Sequence, residues 1–167
     1  MRGQKAERLQ REKGALIDAL KRARDDLLAA LAEIPPAQIA EACVGEWSAF
    51  ELLAHLQGWD VTNRQAVEQI AAGRYPSFFQ YYDKDWRSYN ARLVAQHRQN
   101  DFAAQLAAAQ GSHAGLLEYL EALPAETVME GRAQRETGRS VSIHNRLKAE
   151  AEDERQHAAQ VRSYWTR

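Results

Sequence analysis

The chain has a single cysteine, Cys43, in 167 residues. That excludes an intramolecular disulfide framework and any metal cluster built on thiolates alone. Net charge is nearly absent too. Lys and Arg number 22 against 23 Asp and Glu, and the pI is about 6.5. A protein that grips nucleic acid through its backbone needs a basic footprint, which this composition lacks. There is no apolar run of the roughly 18 residues that a membrane helix requires. The N-terminal stretch MRGQKAERLQREKGALIDAL is basic but has no continuous apolar region, so it does not read as a secretory signal. The expectation is a cytoplasmic protein without a membrane or nucleic-acid partner. Proline and glycine are scarce, at four and nine residues. What is present is apolar material, 45% of the chain, enough for a core in one domain spanning 1–167.

The apolar residues recur with a helical period. From about Glu7 to Glu33, Leu9, Leu16, Leu20, Leu27, Leu31 and Ile34 are spaced by threes and fours or their sums. Pro35-Pro36 ends that segment. Ser48 followed by Glu51 has the form of a capping box and opens a second helix to about Ala72, with Gly73 as its stop. Residues 75–86 hold six of the fourteen aromatics without a clean period and read as a connection packed over something. A third region, about Asp85 to Leu123, breaks near Gln99-Asn100-Asp101, where turn and cap formers meet. Residues 124–140 are polar and read as a functional loop or a long crossover. Ser140 or Ser142 caps a last helix that runs to about Tyr164. No segment alternates as a strand would. The pattern is all-α, with four main helices.

Chemistry enters where polar residues occupy apolar stripes. His55 interrupts Leu52-Leu53-Ala54-His55-Leu56, and His157 lies between Leu147 and Val161 on the inward side of the last helix. Glu150, Asp153 and Glu154 fall close to the same stripe, and Asp153 precedes His157 by about one turn. Several buried ionisable groups without partners would cost several kcal/mol each. One resolution is a metal ion held by Asp153, His157 and His55, a three-ligand set that leaves positions open. Such an ion brings a bound water towards a pKa of about 7. Glu154 or Glu150 is then the candidate proton carrier. The other resolution is ordinary: histidines satisfied at a boundary, and carboxylates paired with Arg155 or Lys148 in solvent. His144, His97 and His113 sit off this face; His113, in Gly111-Ser112-His113-Ala114-Gly115, reads as surface. The string from Asp153 to His157 is one residue away from H-E-x-x-H, but no peptidase context accompanies it.

The segment Trp47-Ser48-Ala49-Phe50-Glu51-Leu52-Leu53-Ala54-His55-Leu56-Gln57-Gly58-Trp59-Asp60 resembles the second-helix signature of the DinB-like four-helix bundles, and within them the ClbS/DfsB branch. The stretch from Asn90 to Pro124 and the ending around His157 and Trp165 are similar to that branch as well. The resemblance implies a DinB-type bundle with long crossover connections. It implies one histidine ligand on the second helix and two ligands four apart on the last, which fall on His55, Asp153 and His157. Most members carry histidine where Asp153 stands; the related mycothiol-dependent isomerases, with His, Glu and His, give a carboxylate precedent. The implied cofactor is a divalent ion, zinc or nickel.

The implied activity is metal-dependent chemistry on a small electrophilic or thiol-linked molecule, hydrolase or thiol transferase in type and protective in role. Glu154 is the expected catalytic group. Trp59, Tyr82, Trp86 and Asn90 are the expected substrate pocket. The alternative is a bundle that has lost its metal at Asp153 and sequesters a small molecule without turnover. Members also pair through helix faces, so a homodimer is expected. Residues 1–24 carry eight Lys and Arg against three acids, and with few aromatics they read as a solvated helix face rather than a nucleic-acid surface.

Overall fold

The computed structural model describes residues 2–165. Four long helices form the bundle: α1 (Arg2–Ala32), α2 (Ala49–Ala71), α5 (Phe102–Ala122) and α7 (Ile143–Trp165). The connection between α2 and α5 carries α3 (Phe79–Tyr82) and α4 (Trp86–His97). The connection between α5 and α7 carries α6 (Ala125–Glu130) and two short strands, β1 (Arg132–Gln134) and β2 (Ser140–Ser142). The first helix packs along the last, and α2 packs against α5 on one side and α4 on the other. This is the expected all-α bundle with long connections.

The periodic residues form its core. Leu16, Leu20, Leu116, Leu120, Ile143 and Leu147 pack at one end. Leu27, Leu31, Leu52, Leu53, Leu56 and Val161 pack at the other. The capping box is present as read: the Glu51 carboxylate accepts from the Ser48 N–H at 3.0 Å, and Arg98 Nε donates to the same carboxylate at 2.7 Å. Asp101 caps α5 through the Ala104 N–H, which is why the third region breaks there. Lys13 is buried in the α1 stripe and donates to the carbonyls of Glu121 and Leu123, closing the orphaned C-terminal end of α5.

Two expectations need correction. The polar 124–140 segment is not a structureless crossover and the chain is not without strands. Ala133 pairs with Val141 in an antiparallel hairpin turned at Gly138, whose φ is 87°. Three residues per strand are too few for alternation to register in the sequence. The 75–86 segment packs over the second helix as expected. Phe78 and Tyr89 are buried against Trp59, which also meets Tyr82 edge-on at 5.5 Å.

Gly58 allows the close approach of α4 to α2. A Cβ there would lie 2.8 Å from Leu93 Cβ.

Candidate metal centre

The fourth helix of the bundle, α7, carries a polar stripe at steps of four, three and four: Arg146, Glu150, Asp153 and His157. It faces the first half of α2, so His55 comes up against His157 with ring centroids 5.6 Å apart and planes nearly perpendicular. His55, Asp153 and His157 each offer one ligand atom, all within 4.8 Å of one another. His157 Nε2 and Asp153 Oδ2 are 3.5 Å apart. Donors about 2.1 Å from a shared tetrahedral ion sit about 3.4 Å apart, so this pair already has the required spacing.

The surroundings prepare the two imidazoles differently. His55 is 3% exposed, and its ring lies 4.6 Å from the Trp47 ring. Its Nδ1 is buried without a hydrogen-bond partner among the described residues. Burial, and next the positive charge of His157, push its pKa down to about 3, so the ring is neutral with a lone pair available. His157 is bonded at Nδ1 to Gln160 Oε1 at 2.9 Å. With that oxygen accepting, Nδ1 carries a hydrogen. Nε2 faces Asp153 and donates to it while the ring is protonated, and loss of that proton frees the Nε2 lone pair that a metal-ligating histidine needs. Burial alone would lower His157, but hydrogen bonds to Asp153 and Gln160 outweigh it and raise the value. The hydrogen bond from His157 holds Asp153 below the ordinary carboxylate range. An orphaned nitrogen, an oriented imidazole and an ionised carboxylate make a donor set that fits a divalent ion.

These three residues line a cavity of about 310 Å³. Trp59, Tyr82, Trp86 and Asn90, the expected pocket residues, all line it. Asn90 Oδ1 accepts from the Trp59 indole N–H at 3.1 Å. Glu150 and Arg146 line it as well. Arg146 donates to Glu150, donates to Asn63 Oδ1 at 2.8 Å, and lies 4.8 Å over the Trp59 ring. Burial pushes the Glu150 carboxyl up, against the pull of Arg146. Arg146 was missing from the sequence reading, although it continues the α7 stripe by one turn.

Glu154, the expected catalytic group, is elsewhere. It is 1% exposed and accepts two hydrogen bonds from Arg24, at 2.8 and 2.7 Å. One residue after Asp153 means about 100° around the helix, which turns Glu154 away from the cavity and into the bundle. Arg24 also donates to both oxygens of Asp60, at 3.2 and 3.0 Å, and Ser112 Oγ donates to Asp60 at 2.6 Å. His113, expected at the surface, is buried within α5 with Nδ1 3.5 Å from Asp60. Asp60, His113 and Glu154 could also be taken for ion ligands by distance. The Arg24 guanidinium already supplies the cation there. The sequence did contain a signal for Arg24: it stands in the apolar stripe between Leu20 and Leu27.

The DinB superfamily model matches residues 19–161, a span that runs from the first helix through both ligand-bearing helices. The chain belongs to the DinB superfamily. No curated protein and no solved structure gives a significant match. Within this DinB-superfamily bundle, Cys43 is buried in the connection before α2, and burial raises its thiol pKa, so it packs as a small apolar residue.

Proposed function

We propose that this DinB-superfamily chain is a metal-dependent enzyme of the ClbS/DfsB branch. It would act on a small electrophilic or thiol-linked molecule, as a hydrolase or thiol transferase with a protective role in the cytoplasm. The observation that carries the reading is the convergence of His55, Asp153 and His157 on one wall of a small aromatic cavity, with a buried His55 nitrogen left unpaired. Those three residues would hold the ion, zinc or nickel. When bound, a divalent ion supplies Lewis acidity to a reacting group.

The remaining work falls to the chain's own residues. Trp59, Tyr82 and Trp86 exclude water from one side of the substrate. Asn90, its oxygen occupied by Trp59, presents its NH₂ as a donor. Glu150 replaces Glu154 as the carboxyl able to carry a proton, because it lines the cavity and Glu154 does not. Pairing into a homodimer through helix faces is part of the same proposal.

Turnover tests it. Metal-loaded protein is offered a model epoxide, then an electrophilic aromatic acceptor with a small thiol. Turnover of either class is expected, lost on chelation, restored by the ion, and absent in His157→Ala. An ion bound without turnover of either class would contradict catalysis, and a chain that retains no ion yet binds a small molecule would favour the sequestering alternative.

A further inference from the structure

Trp59, whose ring lies 6.4 Å from that of His55, organises two donors in the same cavity as the ligand triad. Its indole N–H holds the Asn90 oxygen, which leaves the Asn90 NH₂ free of that bond. Its ring face lies under the Arg146 guanidinium. Arg146 Nε is committed to Asn63 and Nη2 to Glu150, while Nη1 has no hydrogen bond among the described residues. The guanidinium is thus fixed on three sides, and its remaining edge has no protein acceptor. Both carboxylates of the cavity wall are engaged: Glu150 with Arg146, Asp153 with His157. The lining therefore offers two fixed donors, Arg146 Nη1 and the Asn90 NH₂, that have no hydrogen-bond acceptor among the described residues, beside the flat walls of Tyr82 and Trp86.

We infer that Arg146 and Asn90 form a carboxylate-recognition subsite, so that this cavity selects small, flat, apolar carboxylic acids. The inference rests on the reading above in taking the cavity as the ligand site, but not on the ion. A volume near 310 Å³ is at the small end of ligand pockets, which suits a single ring with a short acid arm. A planar carboxylate can accept from both donors at once, and the hydrogen bond from a guanidinium is charge-assisted.

The test uses phenylacetate as probe and phenylacetamide as its neutral counterpart of the same shape. Quenching of tryptophan fluorescence is followed in chelator-treated protein, so that no ion can bind the acid. Phenylacetate is expected to bind about tenfold more tightly than the amide, the effect of one charge-assisted hydrogen bond. Asn90→Leu should reduce that preference severalfold and Arg146→Met should remove it. Arg146→Met strands a buried carboxyl, so Arg146→Met with Glu150→Gln removes the pair together and keeps the test valid if the single variant fails to fold. Equal binding of acid and amide, no saturable binding of either, or a preference that survives in the double variant would each overturn the inference. Metal content of the same preparations before chelation is read separately. Loss of the ion with retention of the acid preference contradicts the enzyme reading and leaves this one standing.

Discussion

His55 shows how a single residue couples burial to chemistry. Enclosed by Trp47, Trp59 and His157, it is held neutral with its pKa near 3. The unfolded chain takes up that proton near pH 6.5. Below that value the unfolded state binds more protons than the folded one, so stability falls as pH drops from about 6.5 towards 3. In metal-stripped protein, urea midpoints should drop between pH 7 and pH 5, with up to about 1.4 kcal/mol per pH unit from this group. His55→Asn removes the titration and should flatten the slope. A variant that loses stability just as steeply would contradict the assignment. The residue was legible in the sequence because a histidine within Leu52-Leu53-Ala54-His55-Leu56 breaks an apolar run. Glu154 looked equivalent and was not. A 100° difference in azimuth separates a cavity-facing position from a core-facing one, and sequence spacing does not say which neighbour waits on each side.

At the scale of elements, the helices were legible and the short pieces were not. Periodicity over twenty residues identifies a helix strongly; three-residue strands and the four-residue α3 leave no period to read. The approach of α4 to α2 also depends on something a single sequence does not display, the missing Cβ at Gly58. Glycine to alanine within a helix ordinarily gains about 1 kcal/mol. At Gly58 the new methyl would meet Leu93 Cβ, an atom fixed to the backbone that cannot rotate aside. Overpacking of this kind costs about 1–3 kcal/mol. Gly58→Ala should therefore lower the melting temperature and loosen α4, which bears Asn90. Gly111→Ala in α5, where nothing lies within 4 Å of the added carbon, should raise it. A rise in both variants would show that the α2–α4 contact is not tight.

The whole molecule is tied together by Arg24. From α1 it reaches Asp60 on α2, Glu154 on α7 and the Ala109 carbonyl on α5, so one buried guanidinium links all four long helices. It also fixes α2 and α7 relative to each other, within two turns of His55 and beside Asp153. Removing it leaves the buried Glu154 and Asp60 carboxylates without their cation, Asp60 keeping only Ser112 and His113, at a cost of roughly 3–5 kcal/mol. Arg24→Met should lower stability by that amount. Combining it with Asp60→Leu and Glu154→Leu should recover most of the loss, because an apolar trio in place of a buried ion group is often neutral. A loss below about 1 kcal/mol in Arg24→Met would contradict the linking role. Here the sequence was only half legible. Its apolar stripes named the core, but an arginine, an aspartate and a glutamate more than thirty residues apart gave no sign of meeting.

The central claim is that His55 and His157 belong to one ion site. Elemental analysis of purified protein, loaded in turn with zinc, nickel, manganese and iron and desalted, tests it most directly. About one divalent ion per chain is predicted, lost in both His55→Ala and His157→Ala while each variant remains folded by circular dichroism. A wild-type chain that retains no ion under any loading condition, or variants that keep the ion undiminished, would contradict it.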